Sequence, residues 1–173
     1  SVDGAVTWSS SLTGLPTTGN KRVAFGNVGV DNNRFVVISD NSQDVAYTQN
    51  GGATWTVTTD ALDQTGYGVL AYGKGLFVVL KSGTANTLNS EDGVAWSAGS
   101  GLPVKNWVDL TWGNGRFVAL ADDGSVSYSL DGKNWNPVVA TGATAGRRIA
   151  YGQGVFAVTA SDTALYYSED GIN

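Results

Sequence analysis

The side chains able to do chemistry in this chain are few, and their types narrow the chemistry at once. The sequence contains no His and no Cys. It therefore lacks the commonest general base, the commonest transition-metal ligand, any thiolate nucleophile and any disulfide. What remains is carboxylate, guanidinium and aromatic chemistry. Two facing carboxylates would serve a glycoside hydrolase, and the best-placed candidate is Asp109. Asp122-Asp123, followed by Gly124, either offers oxygens to Ca²⁺ or forms a tight hairpin turn. Arg22, Arg34, Arg116, Arg147 and Arg148 are the cations that could grip an anionic ligand. Trp107 either packs or presents its ring as a platform for a sugar. Asp109 either works on a ligand with Arg148 and Trp107 or pairs with Arg22 or Arg148 as part of a polar wall. With a net charge of −5 and ten scattered Lys and Arg, the chain is not built to hold a phosphate backbone. No apolar run approaches the roughly 20 residues of a membrane-spanning helix.

The elements that position these residues are repeats. Twenty-four glycines are too many for a helical protein, since each weakens a helix interior by about 1 kcal/mol relative to Ala. They recur at fixed places. One phrase returns four times: V-A-F-G at Val23–Gly26, L-A-Y-G at Leu70–Gly73, L-T-W-G at Leu110–Gly113 and I-A-Y-G at Ile149–Gly152. A Val- and Phe-rich run follows each: Arg34–Ser39, Leu76–Leu80, Arg116–Leu120 and Val155–Thr159. Third runs follow at Asp44–Thr48, Ala85–Asn89, Ser125–Ser129 and Ala164–Ser168, each closed by an Asn-Gly or Asp-Gly turn. The links G-K-G, G-N-G and G-Q-G permit the positive φ of tight hairpins. In the first repeat this link is longer and contains Asn32-Asn33.

A period of about 40 residues is that of a propeller blade. A lone four-stranded meander cannot bury both faces, so neighbouring units must stack. The expected fold is an all-β propeller of about four blades, each a four-stranded antiparallel meander, in a single domain 1–173. Its repeats lie at approximately 21–58, 67–99, 107–138 and 147–173, the last completed by an N-terminal strand within 1–10 that closes the ring. The Asp-Gly turn occurs at both ends of the chain, which a slice of a longer array would also show.

The turns resemble the Asp-box (BNR) repeats of sialidases and related propellers, Ser/Thr-x-Asp-x-Gly-x-x-Trp. Thr48, Asn50, Gly52 and Trp55 match with Asn in place of Asp. Ser1, Asp3 and Trp8 keep the spacing, with Gly4 one place early. Ser90, Asp92 and Trp96, and Ser129, Asp131 and Trp135, form versions one residue shorter; Ser168 and Asp170 keep the start alone. The resemblance implies a structural role for these residues, on the rim and away from a ligand face. It also implies what a sialidase would need: three arginines, a Tyr/Glu nucleophile pair and an acid Asp. The two glutamates, Glu91 and Glu169, both precede the Asp of a box, so that nucleophile pair is missing. The wider phrase is similar to repeats of bacterial surface proteins and phage tail or fibre proteins.

The expected function is thus a non-catalytic binding or display module, extracellular or on a virion surface and within a larger assembly. It needs no cofactor or metal, and its partner is a protein or a cell-surface glycan. The alternatives are a lectin-like propeller using Trp107 and the 99–106 loop, and a polysaccharide-acting hydrolase using Asp109.

Overall fold

In the computed structural model the described residues are 14–16, 18–29 and 32–173. They form four antiparallel sheets in chain order and no helix. The first holds β1 (Lys21–Asn27), β2 (Asn33–Ser39), β3 (Val45–Thr48) and β4 (Thr56–Thr58). The second holds β5 (Tyr67–Gly73), β6 (Leu76–Lys81), β7 (Thr87–Ser90) and β8 (Ser97–Ala98). The third holds β9 (Trp107–Gly113), β10 (Arg116–Ala121), β11 (Ser125–Ser129) and β12 (Val139–Ala140). The fourth holds β13 (Gly146–Gly152), β14 (Val155–Ala160) and β15 (Leu165–Ser168). Each is a meander of sequential neighbours, as the repeat predicts. The closing strand expected within 1–10, with Ser1, Asp3 and Trp8, lies outside the described residues.

Local chemistry sets the register. Gly73 pairs with Leu76, Gly113 with Arg116 and Gly152 with Val155, leaving two-residue loops. In each loop both residues have positive φ: Lys74 and Gly75, Asn114 and Gly115, Gln153 and Gly154. Two successive left-handed residues match the twist of the paired strands, and a Gly in the second place relieves the strain.

The core consists of three slabs between successive sheets. Val36, Ile38 and Val45 meet Tyr67, Phe77 and Val79 in the first slab. Val78 and Leu80 meet Trp107, Leu110 and Phe117 in the second. Val118, Leu120 and Val126 meet Ile149, Phe156 and Val158 in the third. The strand β6 reads L-F-V-V-L-K and is buried on both faces, because a sheet stands on either side of it. Burial in β14 alternates instead, with one face covered. The innermost strands pack in the series β1–β5–β9–β13, and the sheets fan outward from them. Among the described residues no comparable packing returns from β13 to β1.

Candidate functional site

Among the described residues the three Ser-x-Asp-Gly turns and the Thr48-Gln49-Asn50-Gly51 turn of the first blade are built alike. In the second, the Ser90 hydroxyl donates to Asp92 Oδ1 at 3.0 Å and accepts the Gly93 N–H at 2.7 Å. The same carboxylate oxygen accepts the N–H groups of Val94 and Ala95 at 2.8 and 2.9 Å. The third turn repeats this: Ser129 Oγ donates to Asp131 Oδ1 at 3.0 Å, which also accepts Lys133 and Asn134 N–H at 2.8 and 2.7 Å. In the fourth, Asp170 Oδ1 accepts Ser168 Oγ at 2.9 Å and Ile172 and Asn173 N–H, both at 2.8 Å. In the first, Asn50 Oδ1 stands in for the carboxylate, accepting Thr48 Oγ1 at 2.8 Å and Thr54 N–H at 3.0 Å.

These donors set the charge. Burial opposes ionisation of Asp92 and Asp131, but the backbone N–H donors outweigh it and hold both carboxyls below the usual range. Asp170 is held down chiefly by the N–H groups of Asn173 and Ile172. One oxygen of each carboxylate thus accepts three hydrogen bonds from its own turn. Trp135 is buried, Trp55 and Trp96 are half-buried, and Gly52 is half-buried beside the Trp55 ring. Glu91 and Glu169, beside these turns, are exposed.

Asp109 does not form the ion pair that its neighbours in the repeat suggested. Its Oδ1 accepts the N–H of Leu110 at 3.0 Å and its Oδ2 that of Ile149 at 2.9 Å. Inner strands form the free inner edge of each sheet, so such N–H groups have no strand partner, and one carboxylate staples β9 to β13 by satisfying two of them. Arg148 donates to the Arg147 carbonyl at 2.7 Å and Arg22 to the Lys21 carbonyl at 3.2 Å. Among the described residues the ion pairs are Lys105–Asp123 and Lys133–Glu91. Arg34 donates to the Asp92 carbonyl of the next sheet and stacks 4.6 Å from the centre of the Tyr47 ring. Arg116 stacks on Tyr128 at 5.5 Å.

Trp107 is 2% exposed and offers no face to a sugar. Its Nε1 donates to the Pro103 carbonyl at 3.2 Å, and its ring fills the slab between the second and third sheets. The platform reading is corrected by this burial. The 99–106 loop is pinned as well: Gly99 N–H donates to Thr87 O at 2.9 Å and Ser100 N–H to Lys133 O at 2.7 Å. Asp123 accepts both the N–H and the hydroxyl of Ser125 and pairs with Lys105, while Asp122 accepts Asn106 Nδ2 at 3.0 Å. An ammonium group occupies the neighbourhood that the Ca²⁺ alternative would need. No group of three or more acidic or other metal-ligating side chains lies together among the described residues.

Four exposed cations, Lys21 and Arg22 on β1 and Arg147 and Arg148 on β13, remain on the inner strands. Asp109 sits between them in the series. Reading each arginine singly misses this grouping; the adjacent pairs Lys21-Arg22 and Arg147-Arg148, at equivalent places in two repeats, are the signal.

Comparison with known proteins places the architecture. No family model matches the sequence, and no curated protein matches it. Among solved structures, YCF48 bound to D1 peptide superposes with a TM-score of 0.68 at 17% identity, over 99% of this chain and 57% of that one. The fold is a β-propeller. YCF48 from Cyanidioschyzon merolae gives a TM-score of 0.64 at 13% identity, over 99% of this chain and 62% of that one. The GH74 enzyme of Niastella koreensis gives 0.65 at 19% identity, over 92% of this chain and 24% of that one. The four blades thus span less than two thirds of each of these propellers, and at such identities the likeness is one of fold.

Proposed function

We propose that this propeller is a non-catalytic binding or display module of the Asp-box kind, carried on a virion or bacterial surface as part of a larger assembly. The observation that carries it is the state of the carboxylates. Asp92, Asp131 and Asp170 each hold Oδ1 on three N–H and hydroxyl donors of their own turns, and Asp109 holds each oxygen on a backbone N–H. A hydrolytic pair needs one carboxylate free to take or give a proton at the substrate. Each of these four is committed to holding backbone in place.

The inner rim favours a protein partner over a glycan. Its exposed feature is guanidinium and ammonium rather than aromatic, and the ring that would have stacked on a sugar is buried. Arg22 and Arg148 lie where planar donors can take carboxylates of an acidic segment. A peptide-bound propeller, YCF48 with D1 peptide, has the same fold. The surface or virion setting rests on the likeness of the repeated phrase alone.

A paired assay tests the reading. The immobilised chain is panned with a random peptide library and, in parallel, incubated with a polysaccharide panel scored for new reducing ends. The expected result is enrichment of Asp- and Glu-rich peptides, at least tenfold weaker on an Arg22→Glu/Arg148→Glu variant, and no turnover. Turnover that disappears in Asp109→Asn overturns it, as does tight binding of a glycan with no peptide enrichment.

A further inference from the structure

The four blades are joined by one contact made three times. Gly26, Gly73 and Gly113 stand at or next to the end of an inner strand and are buried beneath an aromatic ring of the next blade. A Cβ on Gly26 would lie 2.5 Å from the Tyr72 ring, one on Gly73 2.1 Å from Trp112, and one on Gly113 2.0 Å from Tyr151. A glycine there is a socket, and the aromatic is the knob that fills it. The fourth socket, Gly152, is exposed, with no atom of the described residues within 4 Å of such a Cβ. The first knob, Phe25, is 52% exposed.

A second contact repeats independently, with the same direction. The turn glycines Gly93, Gly132 and Gly171 are buried against Val36, Val78 and Val118 of the preceding blade, at 2.5, 2.9 and 2.7 Å from a built Cβ. The turn glycine of the first blade, Gly51, is exposed and meets nothing among the described residues. Hydrogen bonds run the same way. Lys74 donates to Leu130 O at 3.0 Å and Asn114 to Glu169 O at 2.9 Å, each from a hairpin to the turn of the next blade. Gln153 stands at the corresponding place in the fourth blade, exposed. Each of the two glycine series therefore lacks one contact among the described residues, and the halves of the missing contact lie at opposite ends of the arc.

We propose that the first and fourth blades form the two halves of a head-to-tail interface, occupied by a second copy of this chain, with Phe25 of one copy seated on Gly152 of the other. The chemistry of the two faces fits this occupant. Of the nine exposed large apolar side chains among the described residues, three (Val23, Phe25, Phe35) face outward from the first blade and two (Leu165, Tyr167) from the fourth. The complement each face needs is the one that the chain already builds at its three internal joints. A contact between unlike faces is heterologous and closes only if the rotation completes a turn. Two copies supply eight blades, within the range over which propellers close.

Size-exclusion chromatography with light scattering, over micromolar to about 100 micromolar concentrations, reads the outcome. The expected mass is twice the 17.9 kDa of one chain. Gly152→Leu plugs the socket without touching the chain's own packing, and Phe25→Asp charges the knob. Each variant alone is expected to run as a folded monomer with an unchanged circular dichroism spectrum. An equimolar mixture of the two keeps one intact joint and returns a one-to-one dimer. A wild-type chain that stays monomeric throughout overturns the proposal. So does dimerisation that either single variant leaves intact, because a like-with-like interface needs only one of the two faces.

Discussion

Phe117 and Phe35 hold the same position in two repeats, each tilted against the aromatic of its own inner strand at 4.7 and 4.8 Å between ring centres. Phe117 is 0% exposed and Phe35 37%. The difference lies in what stands opposite. The second blade covers the face that carries Phe117, and no described blade covers the face that carries Phe35. Identical local chemistry thus gives a core residue in the middle of the arc and a surface residue at its end. Blade stability is a property of the joints more than of the sheets.

The largest effect should separate these two phenylalanines. Phe117→Ala removes a ring from a closed slab and is expected to cost about 3–5 kcal/mol. Phe35→Ala is expected to cost about 1 kcal/mol, since much of its area already faces water in a single chain. Urea unfolding at concentrations where the chain is monomeric measures both. Equal losses would mean that the first blade is covered and the contrast is mistaken.

Glycine sockets sharpen the same contrast. At Gly113 an alanine methyl would strike the near end of the Tyr151 ring, which is fixed to its strand and cannot swing away. Overpacking of this kind is expected to cost about 1–3 kcal/mol. Gly152→Ala meets nothing among the described residues and should be neutral, or stabilise by about 0.4–1 kcal/mol through the unfolded chain. A destabilised Gly152→Ala monomer would show that this socket is filled within the chain itself.

Much of this was legible in the sequence. The four phrases gave the sheets, and the Gly-x-Gly links gave the hairpins, because period and turn chemistry are local. The joint itself was not legible, since Gly113 beneath Tyr151 is a contact between repeats, and a repeat read alone does not say which neighbour fills it. Asp109 shows the same limit. Its place on an inner strand was legible, but its partner is a backbone N–H of the next blade, which no side-chain pattern announces. Trp107 was ambiguous because a Trp after a loop reads alike whether its face meets solvent or a sheet.

The turns permit a comparison by titration. Three use a carboxylate and the first uses Asn50, which carries no charge at any pH. Asp92, Asp131 and Asp170 have folded pKa values below the unfolded value of about 3.9. Their stabilisation is therefore present above about pH 4 and is lost as pH falls through the folded values. After screening by solvent, each turn is expected to contribute about 1 kcal/mol of acid-dependent stability. Asp131→Asn should remove one share of that dependence, and Asn50→Asp should add one. Thermal melts at pH 3 and pH 6 compare them. A slope unmoved by both substitutions would show that the acid sensitivity lies elsewhere.

The smallest effect distinguishes two ion pairs. Lys105 and Asp123 are 30% and 47% exposed, and hydrogen bonds from Lys105 and Ser125 hold the Asp123 carboxyl at about 2. Lys133 and Glu91 stand 3.9 Å apart with Glu91 81% exposed. Distance and hydration both weaken the second pair, so Glu91→Gln should leave stability unchanged within error. Lys105→Ala should cost no more than about 1 kcal/mol. Carboxyl NMR offers the sharper readout: in Lys105→Ala the Asp123 titration should rise, yet stay below the ordinary value because both Ser125 donors remain. A return to the ordinary value would mean that the lysine alone sets the charge. The serine would then be a bystander, and the resemblance between this hairpin and the Ser-x-Asp-Gly turns, where hydroxyl and N–H groups do the holding, would fail.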